Sequence, residues 1–165
     1  MLNISINQNT RVLLYAAIAF FVPLLFGHLK SISNQLMIGT IVNLILVVAA
    51  LQLTWKQTLP IILLPSIAAF ASGIIFSELS IFLLYLIPFI WLGNTVFVYV
   101  IKRIQTSYFK AITLAAITKT LCLIIPTLVL VNYAIIPSQF IPAMGIMQLT
   151  TAMLGGIFAS VSTRI

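Results

Sequence analysis

The sequence predicts an all-α fold, a polytopic membrane protein built as a bundle of six transmembrane helices. Three observations predict this fold. Of the 165 residues, 62% are hydrophobic and only 5% are charged, whereas a soluble domain carries about 25% charged residues. The apolar residues fall into six segments, each close to the roughly 20 residues that a helix needs to cross a bilayer. The segments between them are short, which favours antiparallel packing of neighbouring helices.

The first three predicted spans are 12–29, 35–53 and 58–76. The first follows a polar segment and has no small-residue cleavage site at its end, which indicates a retained helix rather than a cleaved signal peptide. The third has Pro60 in its first turn, where proline is tolerated, and Pro65 in its interior, where we expect a kink.

The last three predicted spans are 81–101, 111–131 and 140–162. The fourth and fifth each contain an interior proline, which predicts a bend in each helix. The sixth repeats small residues at a spacing of four, as in Gly155 and Ala159, and this pattern allows close helix approach. No linker or second hydrophobic unit interrupts the series, so we expect residues 1–165 to form a single transmembrane domain.

The distribution of lysine and arginine predicts the orientation of the bundle. One side would hold six basic residues: Arg11, Lys56, Lys102, Arg103, Lys110 and Arg164. The other side would hold Lys30 and the only acidic residue, Glu78. Cytoplasmic loops carry the excess of positive charge. The pattern therefore predicts a multi-pass protein of the cell (plasma) membrane with both termini in the cytoplasm.

The composition argues against several functional classes. The net charge is +7, but the basic residues stand singly at segment ends, unlike a nucleic-acid-binding patch. One histidine, one cysteine, one glutamate and no aspartate provide neither paired carboxylates nor a metal centre of three or four ligands. No nucleophile with its base and no nucleotide-binding loop is recognisable. We therefore expect a non-enzymatic protein without a resident cofactor or metal.

Lys119 is the most informative polar residue, because it lies about nine residues, or roughly 13 Å, inside the fifth span. A lysine at that depth costs about 2.5–3.5 kcal/mol on insertion scales. No carboxylate is at hand to offset it, so its ammonium group must use amide or backbone oxygens, water or an anionic ligand. Two alternatives stay open: the side chain extends towards the cytoplasmic interface, or it faces an internal cavity.

Three other polar residues fall at a similar depth in other spans: Asn43, Asn94 and Gln148. They could simply form hydrogen bonds between helices. Together with Lys119 they could instead form the polar floor of a substrate-binding cavity, with Trp91 as an apolar wall. We predict the second arrangement, in which Lys119 would neutralise the carboxylate or phosphate of an anionic ligand.

The organisation of the whole chain resembles the substrate-binding S components of energy-coupling factor (ECF) transporters. Three stretches resemble a related group of small bacterial membrane proteins that is sometimes labelled iron hydrogenase: NQLMIGTIVNLILVVAAL at 34–51, LIPFIWLGN at 86–94 and MQLTTAMLGGIFA at 147–159. The single cysteine excludes the iron–sulfur cluster that this label suggests.

The resemblance implies a six-helix bundle that binds a vitamin or similar micronutrient from outside the cell. It also implies association with a membrane coupling subunit and two cytoplasmic ATPases, with Ala16, Ala17 and Ala19 as the docking face. The leading hypothesis is therefore the substrate-binding subunit of an uptake transporter for a small organic ligand. The alternatives are a non-catalytic structural or accessory subunit of a membrane complex, and a small standalone permease.

Overall fold

A computed structural model describes residues 7–26, 32–72, 77–104 and 106–163 of the chain, and within these ranges the structure is helical and contains no strand. The helices are α1 (Gln8–Phe26), α2 (Ile32–Gln52), α3 (Trp55–Ala71), α4 (Leu83–Arg103), α5 (Tyr108–Asn132), α6 (Phe140–Met144) and α7 (Ile146–Thr163). A short 3₁₀ helix, Ser77–Phe82, leads directly into α4. Lys30 and Arg164, which enter the charge count, lie outside the described residues, as does the side chain of Glu78.

The expectation of an all-helical chain with helices able to cross a membrane is confirmed for the described residues. In the described ranges, five helical segments are long and apolar enough to cross a membrane: Gln8–Phe26, Asn34–Gln52, Leu79–Arg103, Tyr108–Asn132 and Phe140–Ser162. The remaining long helix, α3, has 17 residues, which is at the lower limit for a spanning helix. It begins three residues before the predicted segment, because Thr54 donates its backbone N–H to the side chain of Gln57 (3.1 Å) and fixes the first turn there.

The last hydrophobic segment is broken, although the sequence predicts one continuous helix. At Gly145 the backbone turns to φ −99° and ψ −102°, away from the helical region, and separates α6 from α7. A Cβ atom added at Gly145 would lie 3.0 Å from the carbonyl oxygen of Ile141 and 3.2 Å from Cδ1 of Ile124, so the bend leaves little room for a side chain. The break leaves the start of α7 beside the interior of the bundle, where Met144 and Gln148 line a cavity that is described below.

The described basic residues at helix ends gather at one end of the bundle, here called the basic end. Its members are Arg11, Lys56, Lys102, Arg103 and Lys110. Hydrogen bonds join the helix termini there: Gln8 donates to Gln57 across α1 and α3 (3.1 Å), and Tyr15 donates to Gln52 across α1 and α2 (2.8 Å). The helices α1, α3 and α5 begin at the basic end, whereas α2, α4 and α7 end there.

The apolar core consists of two clusters stacked along the bundle. The larger cluster lies towards the basic end and includes Phe97 and Ala116. The smaller cluster lies towards the opposite end and includes Ile87 and Leu123. On α5, Lys119 lies about one helical turn after Ala116 of the larger cluster and one turn before Leu123 of the smaller cluster. A layer of polar side chains separates the two clusters at this level.

Two adjacent glycines let α7 pack closely between α2 and α5. A Cβ atom added at Gly155 would lie 2.6 Å from the backbone nitrogen of Leu44 on α2. A Cβ atom added at Gly156 would lie 2.3 Å from the side chain of Ile112 on α5. The small residues that the sequence repeats in this segment therefore serve close helix packing.

Candidate functional site

Lys119 is enclosed in the middle of the bundle. Its side chain is 2% exposed, and its Nζ donates a hydrogen bond of 2.6 Å to Oδ1 of Asn43 on α2. The same Nζ lies 5.2 Å from the centre of the Phe97 ring on α4, where the electron-rich face of the ring attracts a cation. The sequence leaves amide or backbone oxygens, water or an anionic ligand as partners for the ammonium group. In the structure this partner is an amide oxygen, Oδ1 of Asn43.

Asn43 continues this hydrogen-bonded chain to the sixth hydrophobic segment. Its Nδ2 donates to the carbonyl oxygen of Gly39 (2.9 Å) and to Oγ1 of Thr151 on α7 (3.1 Å). Asn43 is 1% exposed and Thr151 is 3% exposed, so the hydrogen bond between these two side chains is shielded from solvent. Lys119, Asn43 and Thr151 therefore form one buried relay that crosses from α5 through α2 to α7.

A cavity of about 140 Å³ lies on the other side of Thr151. It is built at the end of the bundle opposite the basic end, where α1 and α3 finish and where α2, α4 and α7 begin. The described lining residues include four uncharged polar side chains and no charged one; the polar ones are Gln35, Ser66, Gln148 and Thr151. The other lining residues are mainly apolar, among them Pro65, Leu83 and Met147.

The polar groups of this cavity differ in how far the protein already satisfies them. Ser66 donates to the carbonyl oxygen of Leu63 (3.0 Å) and accepts a hydrogen bond from Nε1 of Trp91 (2.8 Å). Within the described part of the chain, the side-chain amides of Gln35 and Gln148 have no hydrogen-bond partner. Both side chains are only half-buried, and each offers an amide donor and a carbonyl acceptor, so these two glutamines are the groups most ready to bind a polar molecule.

Comparisons of this chain with protein-family models, with curated proteins and with solved structures found no match.

The structure places four of the five sequence-predicted site residues at three levels around the cavity. Gln148 lines the cavity directly. Trp91 donates a hydrogen bond to the lining residue Ser66, and Asn43 donates one to the lining residue Thr151. Both are therefore one hydrogen bond away from the cavity. Lys119 is two hydrogen bonds away from the cavity, behind Asn43.

Asn94 belongs to the same buried layer but not to the described cavity lining. Its Nδ2 donates to the carbonyl oxygen of Ile62 on α3 (3.1 Å), and it is 2% exposed. Its Oδ1 is buried and has no hydrogen-bond partner among the described residues. In this arrangement Asn94 ties α4 to α3 and retains one unused acceptor.

The sequence reasoning missed three polar lining residues: Gln35, Ser66 and Thr151. Gln35 is the first residue of a predicted span, and Ser66 and Thr151 have hydroxyl groups that helices commonly satisfy with their own backbone. Their depth along the span therefore does not predict that these three residues line a cavity. Their helical neighbours Gly39 and Pro65, which also line the cavity, are the clearest sequence signal that the backbones are arranged unusually there.

A second space, of about 630 Å³, lies at the basic end beside Lys102 and Tyr108. The ammonium group of Lys102 is already engaged, because it donates to the carbonyl oxygens of Ala50 (2.8 Å) and Leu53 (2.5 Å) at the end of α2. A cation in this position stabilises the negative end of a helix dipole. The hydroxyl group of Tyr108 is engaged as well, since it donates to the carbonyl oxygen of Gly156 (2.5 Å). These contacts assign both side chains to helix packing.

Proposed function

We propose that this protein is a membrane-embedded binding subunit that captures a small organic molecule for uptake, in the manner of the S components of ECF transporters. In this proposal six segments span the cell membrane. The basic end faces the cytoplasm, as the excess of positive charge on cytoplasmic loops requires. The cavity then opens from the outer half of the bundle, which is where a molecule arriving from outside the cell would be captured.

The observation that carries the proposal is the lining of the 140 Å³ cavity, which combines apolar walls with the unpaired amides of Gln35 and Gln148. Ligand sites are mostly apolar and contain a few polar groups that fix orientation. An engineered cavity of about 150 Å³ accepts benzene, whereas sites for drug-sized molecules measure about 300–1,000 Å³. The cavity therefore fits a molecule of about one ring.

The charge distribution favours an uncharged ligand over the anionic one that the sequence suggests. The ammonium group of Lys119 is not in the lining; Asn43 accepts its hydrogen bond at 2.6 Å. An anion in the cavity would be separated from that charge by Asn43 and Thr151. It would also lose its hydration without gaining an ion pair, which is costly in an apolar site.

The partners in this proposal are a membrane coupling subunit and cytoplasmic ATPases, because the described chain has no nucleotide-binding loop of its own. The small-residue patch on α1 is only partly free for docking. Ala19 is buried and Ala16 packs against the larger core cluster, while Ala17 is half-buried. Docking through α1 would therefore use the exposed side chains beside this patch, such as Leu13 and Phe21.

The proposal is tested by analysing small molecules that co-purify with the protein from mild detergent, using mass spectrometry. Ala69→Phe places a ring into the cavity, which Ala69 lines. The control is Ala71→Phe, which adds the same ring two residues further on α3 at an exposed position. We expect one compound to accompany the wild-type protein and the Ala71→Phe variant and to be absent from Ala69→Phe. Identical extracts from all three proteins would refute the proposal.

A structural or accessory subunit is the second candidate, and one observation favours it. The relay from Lys119 to Thr151 joins three helices and is complete without a ligand, so it could serve bundle stability alone. This alternative predicts no co-purified compound in any variant. A standalone permease would bind a compound in the same cavity, but it would also transport that compound into liposomes that contain no ATPase.

A further inference from the structure

The relay from Lys119 to the cavity has a fixed hydrogen-bond direction. An ammonium group only donates, so Asn43 must turn Oδ1 towards Lys119, as the 2.6 Å contact shows. The Nδ2 of Asn43 then points to the carbonyl oxygen of Gly39 and to Oγ1 of Thr151. The Gly39 carbonyl only accepts, so both neighbours impose the same orientation on the amide.

This orientation decides which group Thr151 offers to the cavity. Its Oγ1 accepts the hydrogen bond from Asn43, so the hydroxyl proton must be donated elsewhere. The acceptor described for it is the carbonyl oxygen of Gln148, at 3.3 Å, whereas hydroxyl donors prefer about 2.7–2.8 Å. Thr151 also lines the cavity. An acceptor atom placed there would take the proton from this long contact.

Close packing of the backbones holds Thr151 in place. A Cβ atom added at Gly39 would lie 2.8 Å from Cγ2 of Thr151, and one added at Gly155 would lie 2.7 Å from Cβ of Asn43. The two glycines thus bracket the Asn43–Thr151 hydrogen bond on both sides. The hydroxyl group of Thr151 is therefore set in a rigid contact between α2 and α7.

We propose that the cavity selects an uncharged, ring-sized molecule that carries a hydrogen-bond acceptor, such as a carbonyl oxygen or a ring nitrogen, and that Thr151 donates to it. Lys119 and Asn43 act as positioning residues that orient this donor. The inference rests on the proposed function, since it requires the cavity to be a ligand site.

The experiment uses three ring compounds of similar size with the purified full chain in lipid nanodiscs. Fluorobenzene is the reporter, because it is mainly apolar and its binding can be followed by ¹⁹F NMR against empty nanodiscs. Pyridine, which only accepts a hydrogen bond, and pyrrole, which only donates one, are then compared as displacing agents. For the wild-type protein we expect pyridine to displace the reporter at about fivefold lower concentration than pyrrole, since a hydrogen bond contributes about 0.5–1.5 kcal/mol.

Three variants separate the roles of the relay residues. Thr151→Val removes the hydroxyl group at nearly constant shape and should abolish the preference for pyridine. Asn43→Asp keeps a partner for Lys119 but replaces the amide donor with an acceptor, so Thr151 must donate to the new carboxylate. The preference should then invert towards pyrrole. Thr150→Val is the control, because the hydroxyl group of Thr150 donates to the carbonyl oxygen of Ile146 (2.8 Å) and Thr150 is outside the described lining.

The outcomes separate this inference from the proposed function. If fluorobenzene shows no saturable binding, the cavity is not a ligand site and both proposals fail. If fluorobenzene binds but Asn43→Asp and Thr151→Val leave the wild-type preference unchanged, only the inference fails. A preference that is lost in Thr151→Val, inverted in Asn43→Asp and kept in Thr150→Val supports it. A purely structural role of the relay would alter stability without inverting this preference.

Discussion

Replacing Gly155 by alanine tests whether the close contact between α2 and α7 builds the core of this protein. The added Cβ atom would lie 2.6 Å from the backbone nitrogen of Leu44, 2.7 Å from Cβ of Asn43 and 2.9 Å from its carbonyl carbon. Two of these three atoms belong to the helix backbone and cannot move aside by rotating a side chain. The two helices must therefore separate.

The size of the effect follows from these distances. Restoring an ordinary contact of 3.4 Å to Cβ of Asn43 requires a separation of about 0.7 Å. That shift would also stretch the 3.1 Å hydrogen bond between Asn43 and Thr151 beyond hydrogen-bonding range. Overpacking of a core costs about 1–3 kcal/mol, so we expect Gly155→Ala to lower the free energy of unfolding by about 2 kcal/mol.

Gly93→Ala is the matched control, because it makes the same substitution in another buried stretch of helix. A Cβ atom added at Gly93 would meet Leu123 and the backbone of Lys119 at 3.4 Å, an ordinary contact distance. Removing glycine from a helix interior gains about 0.5–1 kcal/mol. Both variants can be unfolded in mixed micelles by increasing the denaturing detergent and followed by far-UV circular dichroism. Equal stability of the two variants would refute the packing argument.

Two further predictions concern the relay and a helix end. Asn43→Ala should destabilise the protein by about 3 kcal/mol or more, because it leaves a buried ammonium group without its hydrogen-bond acceptor, whereas Lys119→Met should cost about 1–3 kcal/mol by leaving an amide oxygen unpaired. The reverse order in the same unfolding assay would show that the ammonium group has another partner. Ala134, two residues after the end of α5, has a positive φ of 55°. Ala134→Gly should therefore stabilise the protein by about 1 kcal/mol, and a loss of stability would contradict this.

Much of the fold could be predicted from the sequence, because the need to satisfy backbone groups in a bilayer leaves helices as the simplest structure for long apolar segments. Segment length and the depth of Asn43 and Lys119 in their spans were sufficient to place these residues in one polar layer. The break at Gly145 could not be predicted in this way, since composition does not report a backbone conformation. The sequence instead predicts an unbroken sixth span.

The candidate site could be predicted only in part. Depth along a helix shows that Lys119 and Asn43 lie near the middle, but it does not show which way each side chain points around the helix. The pairing of these two side chains keeps the charge out of the cavity lining, where Thr151 stands instead. Partner choice of this kind depends on how α2 packs against both α5 and α7 and has no signature in the spacing of residues along one helix.

The central claim is that the cavity binds a small ring-sized molecule, and Trp91 offers the most direct measurement. Trp91 donates to Ser66 in the cavity wall (2.8 Å), and the other tryptophan, Trp55, can be replaced by phenylalanine so that Trp91 alone fluoresces. Titration with pyridine in nanodiscs should change the Trp91 emission in a saturable manner. The added Ala69→Phe substitution should abolish this change and Ala71→Phe should retain it. A linear, unsaturable response that is the same in all three proteins would contradict the claim.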